Sequence, residues 1–429
     1  MSIYFGNQKV SPLIVSTDIK LNIEYSQTAP ADTSKLWIKA NKPTSIDFSQ
    51  NPEQQVEEII ALNAAFTYGS YAAYSMAASK VGTKIYAFGG YYHSSDYNNA
   101  IYEFDTETKT VTSLSTKIPQ GLVGIAAATI GTKIYLLGGA YSSSYGWMSS
   151  GNIYEFDTET KQISTVTKSG SFNIAYAAIG VYGTNIYLFG GQYKSSSSGS
   201  ASSSQSIIKF DTVSKTITSL SGKWLKYSAT GIAAATIGNK IYLFGGVSYG
   251  SRSNTWRNNI QIFDCETETI TSLDTQIPFY VAFAAATAVG NKIYLFGGNG
   301  GDTETSSSTL NKICEFDTIT NSISLINTTL TTANSSMAAV VNGTNVYIFP
   351  GNIDKGTYEF IVNFPLEEND ILIQEDYLNN IFDVLKEPTK ISVGVKNVYK
   401  GNSNNVAKFV DAYLHDGTNW VNVNTNETA

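Results

Sequence analysis

Side chains able to do acid, base or metal chemistry are few in this sequence. Its 429 residues include two histidines, His93 and His415, two arginines, Arg252 and Arg257, and two cysteines, Cys265 and Cys314. Copper-radical oxidation needs two histidines and a cysteine-modified tyrosine around one point, and the two histidines lie in different parts of the chain. Clamping a sugar carboxylate between three arginines needs one more arginine than is present. Serine–histidine hydrolysis would rest on the same two histidines, without the glycine pattern of a nucleophile elbow. His93 reads as a loop contact, and no metal-ligand spacing occurs. Carboxylates are common enough for a pair to converge. The five that stand out, Asp105, Asp157, Asp211, Asp264 and Asp317, instead recur in register at a turn, which marks them as Asx-type turn formers. The expectation is a protein that is not an enzyme and holds no metal or cofactor. Cys265 and Cys314 occupy different repeat positions and are expected as two free buried thiols.

The elements that would position any site follow from the repeats. KIYAFGG, KIYLLGG, NIYLFGG, KIYLFGG, KIYLFGG and NVYIFPG recur along the chain, which makes six units. Each run follows a small-residue apolar strand, across a turn beginning with Gly82, Gly131, Gly183, Gly238, Gly290 or Gly343. Glycine there supplies the positive φ that a tight hairpin requires. A variable loop then leads to a third strand (YEFD, YEFD, IKFD, QIFD, CEFD), a short turn and an alternating fourth strand such as TVTSL. Four strands per unit make a propeller blade. The sixth unit lacks its fourth strand. Val56 to Leu62, laid over KTVTSL with Ile59 and Leu62 on Val111 and Leu114, is expected to close the ring; Glu57 and Glu58 also suit the start of a short helix there.

Taken together, the paired glycines and the aromatics Phe104, Phe156, Phe210, Phe263 and Phe316 resemble the kelch repeat. The sequence departs at Pro350-Gly351 and at the family's tryptophan position, which holds Val111, Ile163, Ile217, Ile270 and Ile323. The resemblance implies an all-β fold: a six-bladed kelch-type β-propeller over 56–365, with small modules at 1–55 and 366–429.

Alternation of strands puts all the long connections on one side: YYHSSDYNNA, AYSSSYGWMSSGN, QYKSSSSGSASSSQ, VSYGSRSNTWRNN and NGGDTETSSSTLN. Their Tyr, Ser, Gly, Asn and Trp content is that of antibody loops, where rigid aromatics give contact area and small polar groups adapt their hydrogen bonds. The candidate receptor-binding residues are Tyr92, Tyr97, Tyr141, Tyr145, Trp147, Tyr193, Tyr249 and Trp256, joined by Trp224, Tyr227 and Tyr280 between blades. The competing reading is that half or more of these only fill their own loops.

Composition limits the partners. Charged residues make up 15% of the chain against the roughly 25% usual for soluble domains, and the net charge is -7. With no basic patch, nucleic acid is not an expected partner. No run of about 18 apolar residues and no secretion signal are seen, so synthesis as a soluble cytoplasmic product without membrane insertion is expected.

At the ends, YFGNQKVSPLIV and TAPADTSKLWIKANKP, and ISVGVKNVYKGNSNNVAKFVDAYLHDGTNWVNVN, are similar to segments of tail and baseplate-attached proteins of phages that infect Clostridium-type bacteria, or of phage-tail-like bacteriocins. YLHDGTNWVNV reads as a β-hairpin turning at Asp416-Gly417 with Trp420 buried, and DYLNNIFDVL before it as a short helix or strand. The resemblance implies a tail fibre or receptor-binding protein of a virion, released by lysis. It would dock on baseplate proteins and present its loop face to a bacterial surface glycan or surface-layer protein, with several copies or a homo-oligomer acting together. An intracellular kelch adaptor and a propeller glycan-processing enzyme are the alternatives.

Overall fold

The computed structural model describes residues 58–362, apart from 93–95, 145, 195–200 and 251–252, and beyond these the backbone of short strands near the two ends. Contacts divide the chain into two units, Met1–Glu57 with Val362–Ala429, and Glu58–Ile361. In the first, Ile3–Phe5 pairs with Gln8–Val10 and, in parallel, with Ile371–Ile373. Lys35–Ile38 joins Asn22–Tyr25 to Ala412–His415, and that last strand pairs antiparallel with Trp420–Asn422, His415 opposite Trp420. The turn expected at Asp416-Gly417, the Trp420 side chain and the segment DYLNNIFDVL lie outside the described residues.

The second unit holds, among the described residues, five antiparallel sheets of four strands and one of five, which form six blades. Blade one is Ala77–Val81, Lys84–Phe88, Ala100–Asp105 and Thr110–Lys117. The innermost strands touch in cyclic order, and that of blade six, Ala338–Asn342, touches that of blade one. The glycines that open the six inner hairpin turns all have φ between 58° and 67°. Blade six takes its outer strand from Glu58–Leu62, which pairs with Thr357–Ile361. Ile59 stands opposite Phe360, just as Val111 stands opposite Phe104 in blade one.

Aromatic side chains join blade to blade. The phenylalanine of each third strand sits edge-on or tilted against the second-strand aromatics of the preceding blade. Phe156 meets Tyr86 and Phe88 at 5.3 and 5.6 Å, Phe263 meets Tyr187 and Phe189 at 5.1 and 5.2 Å, and Phe360 meets Tyr294 and Phe296 at 5.3 and 5.2 Å. Across the junction of blades six and one, Phe104 meets Tyr347 and Phe349 at 5.2 and 5.7 Å. Each such pair adds roughly 0.5–1.5 kcal/mol beyond the area it buries. The small residues of the inner strands let these sheets converge: Ala233, Ala235, Ala126 and Ala128 are buried among them.

The repeated aspartates are turn formers. Oδ1 of Asp105 accepts the backbone N–H groups of Glu107 and Thr108 at 2.8 and 3.2 Å, and the other four repeat this at their own turns, as with Asp264 and the N–H groups of Glu266 and Thr267. Cys265 and Cys314 are free and buried, and burial pushes both thiols up to about 12, away from reactivity.

Candidate functional site

The long connections are largely folded as a second tier of hairpins. Tyr91–Tyr92 pairs with Asp96–Tyr97, Gln192–Tyr193 with Ser202–Ser203, and Val247–Tyr249 with Asn254–Trp256. In blade two the second strand runs on as far as Ser143 and pairs with Gly146–Ser149. These hairpins are tied to their neighbours. The Ser149 N–H donates to the Lys194 carbonyl (3.1 Å), the Tyr249 N–H to Ser203 Oγ (3.1 Å) and the Trp256 N–H to the Glu304 carbonyl (2.8 Å). The result is a hydrogen-bonded crown, in which side chains are held in place by backbone pairing rather than by loop composition.

Inside the crown, side chains from two sets of repeat-equivalent positions line a cavity of about 540 Å³. One set lies seven residues before each inner hairpin glycine: Ser75, Gly124, Tyr176, Gly231, Phe283 and Ser336. All six have φ between 52° and 63°. Four successive backbone bonds run from blade to blade through them, the N–H of Tyr176 to the Gly124 carbonyl, Gly231 to Tyr176, Phe283 to Gly231 and Ser336 to Phe283, at 2.7 to 3.2 Å. From Gly124 to Phe283 small and large alternate for a steric reason. A Cβ at Gly124 would come within 2.4 Å of the Tyr176 ring, and one at Gly231 within 2.8 Å of the Phe283 ring. Each aromatic therefore lies on the glycine of the preceding blade, and the two rings meet edge to face at 5.9 Å.

The second set follows the paired glycines, or Pro350-Gly351, and puts Tyr91, Gln192, Asn299 and Asn352 on the wall. Tyr91 and Tyr176 share a hydroxyl–hydroxyl bond of 3.2 Å. Burial, and then the Tyr91 phenol, hold the Tyr176 hydroxyl well above the usual phenol range. Ser75 Oγ donates to Asn352 Oδ1 at 2.7 Å. The nearest lysines are engaged at the margin. Lys194 lies 5.3 Å from the Trp147 ring centroid, while Lys355 sits 3.3 Å from that of Tyr74 and donates to the Gly351 carbonyl.

Of the eleven candidate residues, the structure brings Tyr97, Trp147 and Tyr249 together in this bowl. Tyr193, 45% exposed, lines a separate groove beside Phe172 and the serines at 202–204. Trp224 is half exposed at the outer end of a fourth strand, opposite Ser206. Trp256 is buried among Val247, Ala282, Tyr280 and Phe283, so it fills its own hairpin base and holds Tyr280 half-buried there. The Arg257 guanidinium covers Tyr227 at 4.1 Å, Tyr92 lies tilted against Tyr68 with ring centroids 4.5 Å apart, and Tyr141 rests on the core between blades one and two. Tyr145 and His93 lie outside the described residues. The sequence reading missed Tyr91, Tyr176, Phe283, Gln192, Asn299 and Asn352. Their signal was available as variation, since within otherwise uniform repeats these two positions carry a different kind of side chain from blade to blade.

Fold and repeat together define a kelch-type β-propeller whose loop face opens into an aromatic bowl. Comparison with known families agrees: residues 175–370 match the KLHDC2/KLHL20/DRC7 Kelch-repeats domain, and residues 46–248 match the Attractin/LZTR1 beta-propeller. Together the two matches span 46–370 and leave 1–45 and 371–429 uncovered. No curated protein matches the chain.

Proposed function

We propose that this chain is a recognition protein that binds a partner in the bowl and on the crown, with no covalent step. The observation that carries this is the gathering of six aromatic rings, Tyr91, Tyr97, Trp147, Tyr176, Tyr249 and Phe283, with three side-chain amides at one mouth of a rigid ring. Rings of this kind supply contact area at low entropic cost, and amides supply directed hydrogen bonds. The ionisable groups among them are phenols, and burial raises those of Tyr97, Tyr176 and Tyr249 above the usual phenol range.

Kelch-repeat propellers suit protein interaction, and this face could meet a protein. The finer reading is a receptor-binding component of a phage tail or tail-like bacteriocin, attached through the chain ends and directed at a bacterial surface glycan or protein. It rests on the resemblance of those ends. The test is binding of the full chain to intact Gram-positive cells, free and presented multivalently, since avidity can add about 10² to 10⁴. Saturable, strain-dependent binding that a Trp147→Ala, Tyr249→Ala double variant loses and Trp224→Ala keeps is the expected result. Absence of binding to every strain would turn the reading toward an intracellular adaptor.

A further inference from the structure

From the bowl's chemistry we infer that its ligand is an uncharged saccharide; the inference rests on the proposed recognition role and names its ligand class. Three observations converge. First, the lining is aromatic and neutral-polar, and no charged side chain belongs to it among the described residues. Among the described residues the lining offers a carboxylate or phosphate no cation, since Lys194 and Lys355 at the margin are engaged with the Trp147 and Tyr74 rings, so its lost water would go unreplaced. An ammonium group would likewise lack a carboxylate. Sugar hydroxyls carry no such cost, because amides and hydroxyls replace their water.

Second, amide hydrogen-bonding capacity is left over. Among the described residues the side chain of Gln192 has no partner, and Asn299 uses only its Oδ1, which accepts from Thr309 Oγ1 at 3.3 Å. An amide donates on one side and accepts on the other, which matches a pair of neighbouring hydroxyls, each of which can do both. Third, flat ring faces stand beside those amides. Trp147 and Tyr249 come from the hairpins of blades two and four, on either side of Gln192 in blade three. The apolar face of a pyranose stacks on such rings while its hydroxyl edge points at the amides. The volume of about 540 Å³ lies within the range of roughly 300–1,000 Å³ typical of small-molecule sites.

The experiment is a binding titration of the full chain against neutral oligomers of glucose, galactose, rhamnose and N-acetylglucosamine, each beside its uronate or phosphorylated counterpart. Cell binding by the same preparations runs in parallel. The expected result is saturable binding of at least one neutral oligomer, with its acidic counterpart about tenfold weaker or more. Trp147→Ala and Gln192→Ala each lose about tenfold in affinity with an unchanged melting temperature, and Trp224→Ala loses nothing. Preference for the acidic counterparts, or bowl variants that bind sugar as the parent does, overturns the inference. Cell binding that depends on Trp147 while no saccharide binds also overturns it but leaves the recognition role standing. Failure to bind both cells and sugars removes both.

Discussion

At the scale of single residues, the unexpected feature is a set of ion pairs that cross between blades. The turn between third and fourth strands ends on a residue with φ between 50° and 58°: Lys109, Lys161, Lys215, Glu268 and Asn321. Lys161 reaches back to Glu103 at 2.6 Å, Lys215 to Glu155 at 3.0 Å and Lys109 to Glu359 at 2.7 Å, each joined by a tyrosine hydroxyl of that earlier blade. Between blades three and four the charges are exchanged, with Lys209 meeting Glu268 at 2.8 Å. If the pairing matters rather than either side chain alone, Lys209→Glu should cost on the order of 1 kcal/mol in urea unfolding. The double variant with Glu268→Lys, which restores the orientation seen elsewhere, should recover most of it. Failure to recover would mean that the pair contributes no coupling. The turn aspartates give a pH signature. The Lys84 side chain, and then two backbone N–H groups, hold Asp105 down to about 2, and backbone N–H donors chiefly lower Asp157, Asp211, Asp264 and Asp317. These carboxyls bind protons more weakly folded than unfolded, where the value is about 3.9. Their stabilisation is thus complete above that value and lost as pH falls through the folded values. The melting temperature should decline between about pH 4 and pH 2. Asp105→Asn, which keeps an acceptor for the turn but cannot ionise, should make the decline shallower; an unaltered slope would assign the acid sensitivity to other groups.

At the scale of elements, the paired glycines hold the blades together. A Cβ at Gly245, where φ is 61°, would fall 2.2 Å from the Val281 carbonyl oxygen of the next blade, and Gly246 donates its N–H to that same oxygen at 2.8 Å. Gly238 in the adjacent hairpin turn has nearly the same φ, 59°, yet nothing within 4 Å of its added Cβ. Gly238→Ala should therefore cost only the left-handed strain, about 1 kcal/mol. Gly245→Ala should cost about 3 kcal/mol or more, because backbone must move. Equal costs in chemical denaturation would show that interblade approach is not what Gly245 requires. This contrast also explains what could be read from sequence. Glycine pairs, turn aspartates and the phenylalanine of each third strand were legible because every blade repeats the same steric demand, so identity recurs at a fixed spacing. The bowl was legible only as variation between repeats, because its residues answer to one another from blade to blade. Tyr176 requires Gly124 one blade earlier, and nothing local to either residue says so. The crown hairpins were hidden for a similar reason, since Ser-rich segments such as 202–204 pair by backbone and by their neighbours rather than by hydrophobic alternation.

At the scale of the whole molecule, the ring has one junction unlike the others. Five blades end their second strand on Gly-Gly and donate the second N–H to a carbonyl of the next blade, as Gly90 does to Leu122. At the junction of blades six and one, Pro350 replaces the first glycine, and its carbonyl instead accepts the Ser75 N–H at 2.9 Å. This junction therefore relies on other contacts. Glu58–Leu62 completes the sheet of blade six, and Phe66, 2% exposed, inserts edge-on between Tyr102 and Phe349 at 5.4 and 5.3 Å. A chain begun at residue 69 would lose both. Emptying the Phe66 site alone costs roughly 3–5 kcal/mol, and the strand Thr357–Ile361 would become an unpaired edge open to association. The damage should reach the bowl, because Ser75, Asn352 and Ser336, which hydrogen-bond to one another there, flank this junction. Two truncations separate closure from the terminal segments. Residues 58–362 should melt as a monomer close to the propeller transition of the full chain and keep its ligand binding. Residues 69–362 should melt lower, associate, and bind weakly even below that transition. If instead 69–362 matched 58–362 in melting and binding, the ring would be held by its aromatic interfaces alone and the closing strand would be dispensable. If 58–362 bound nothing while the full chain did, recognition would belong to the terminal segments, and the bowl would lose its assigned role.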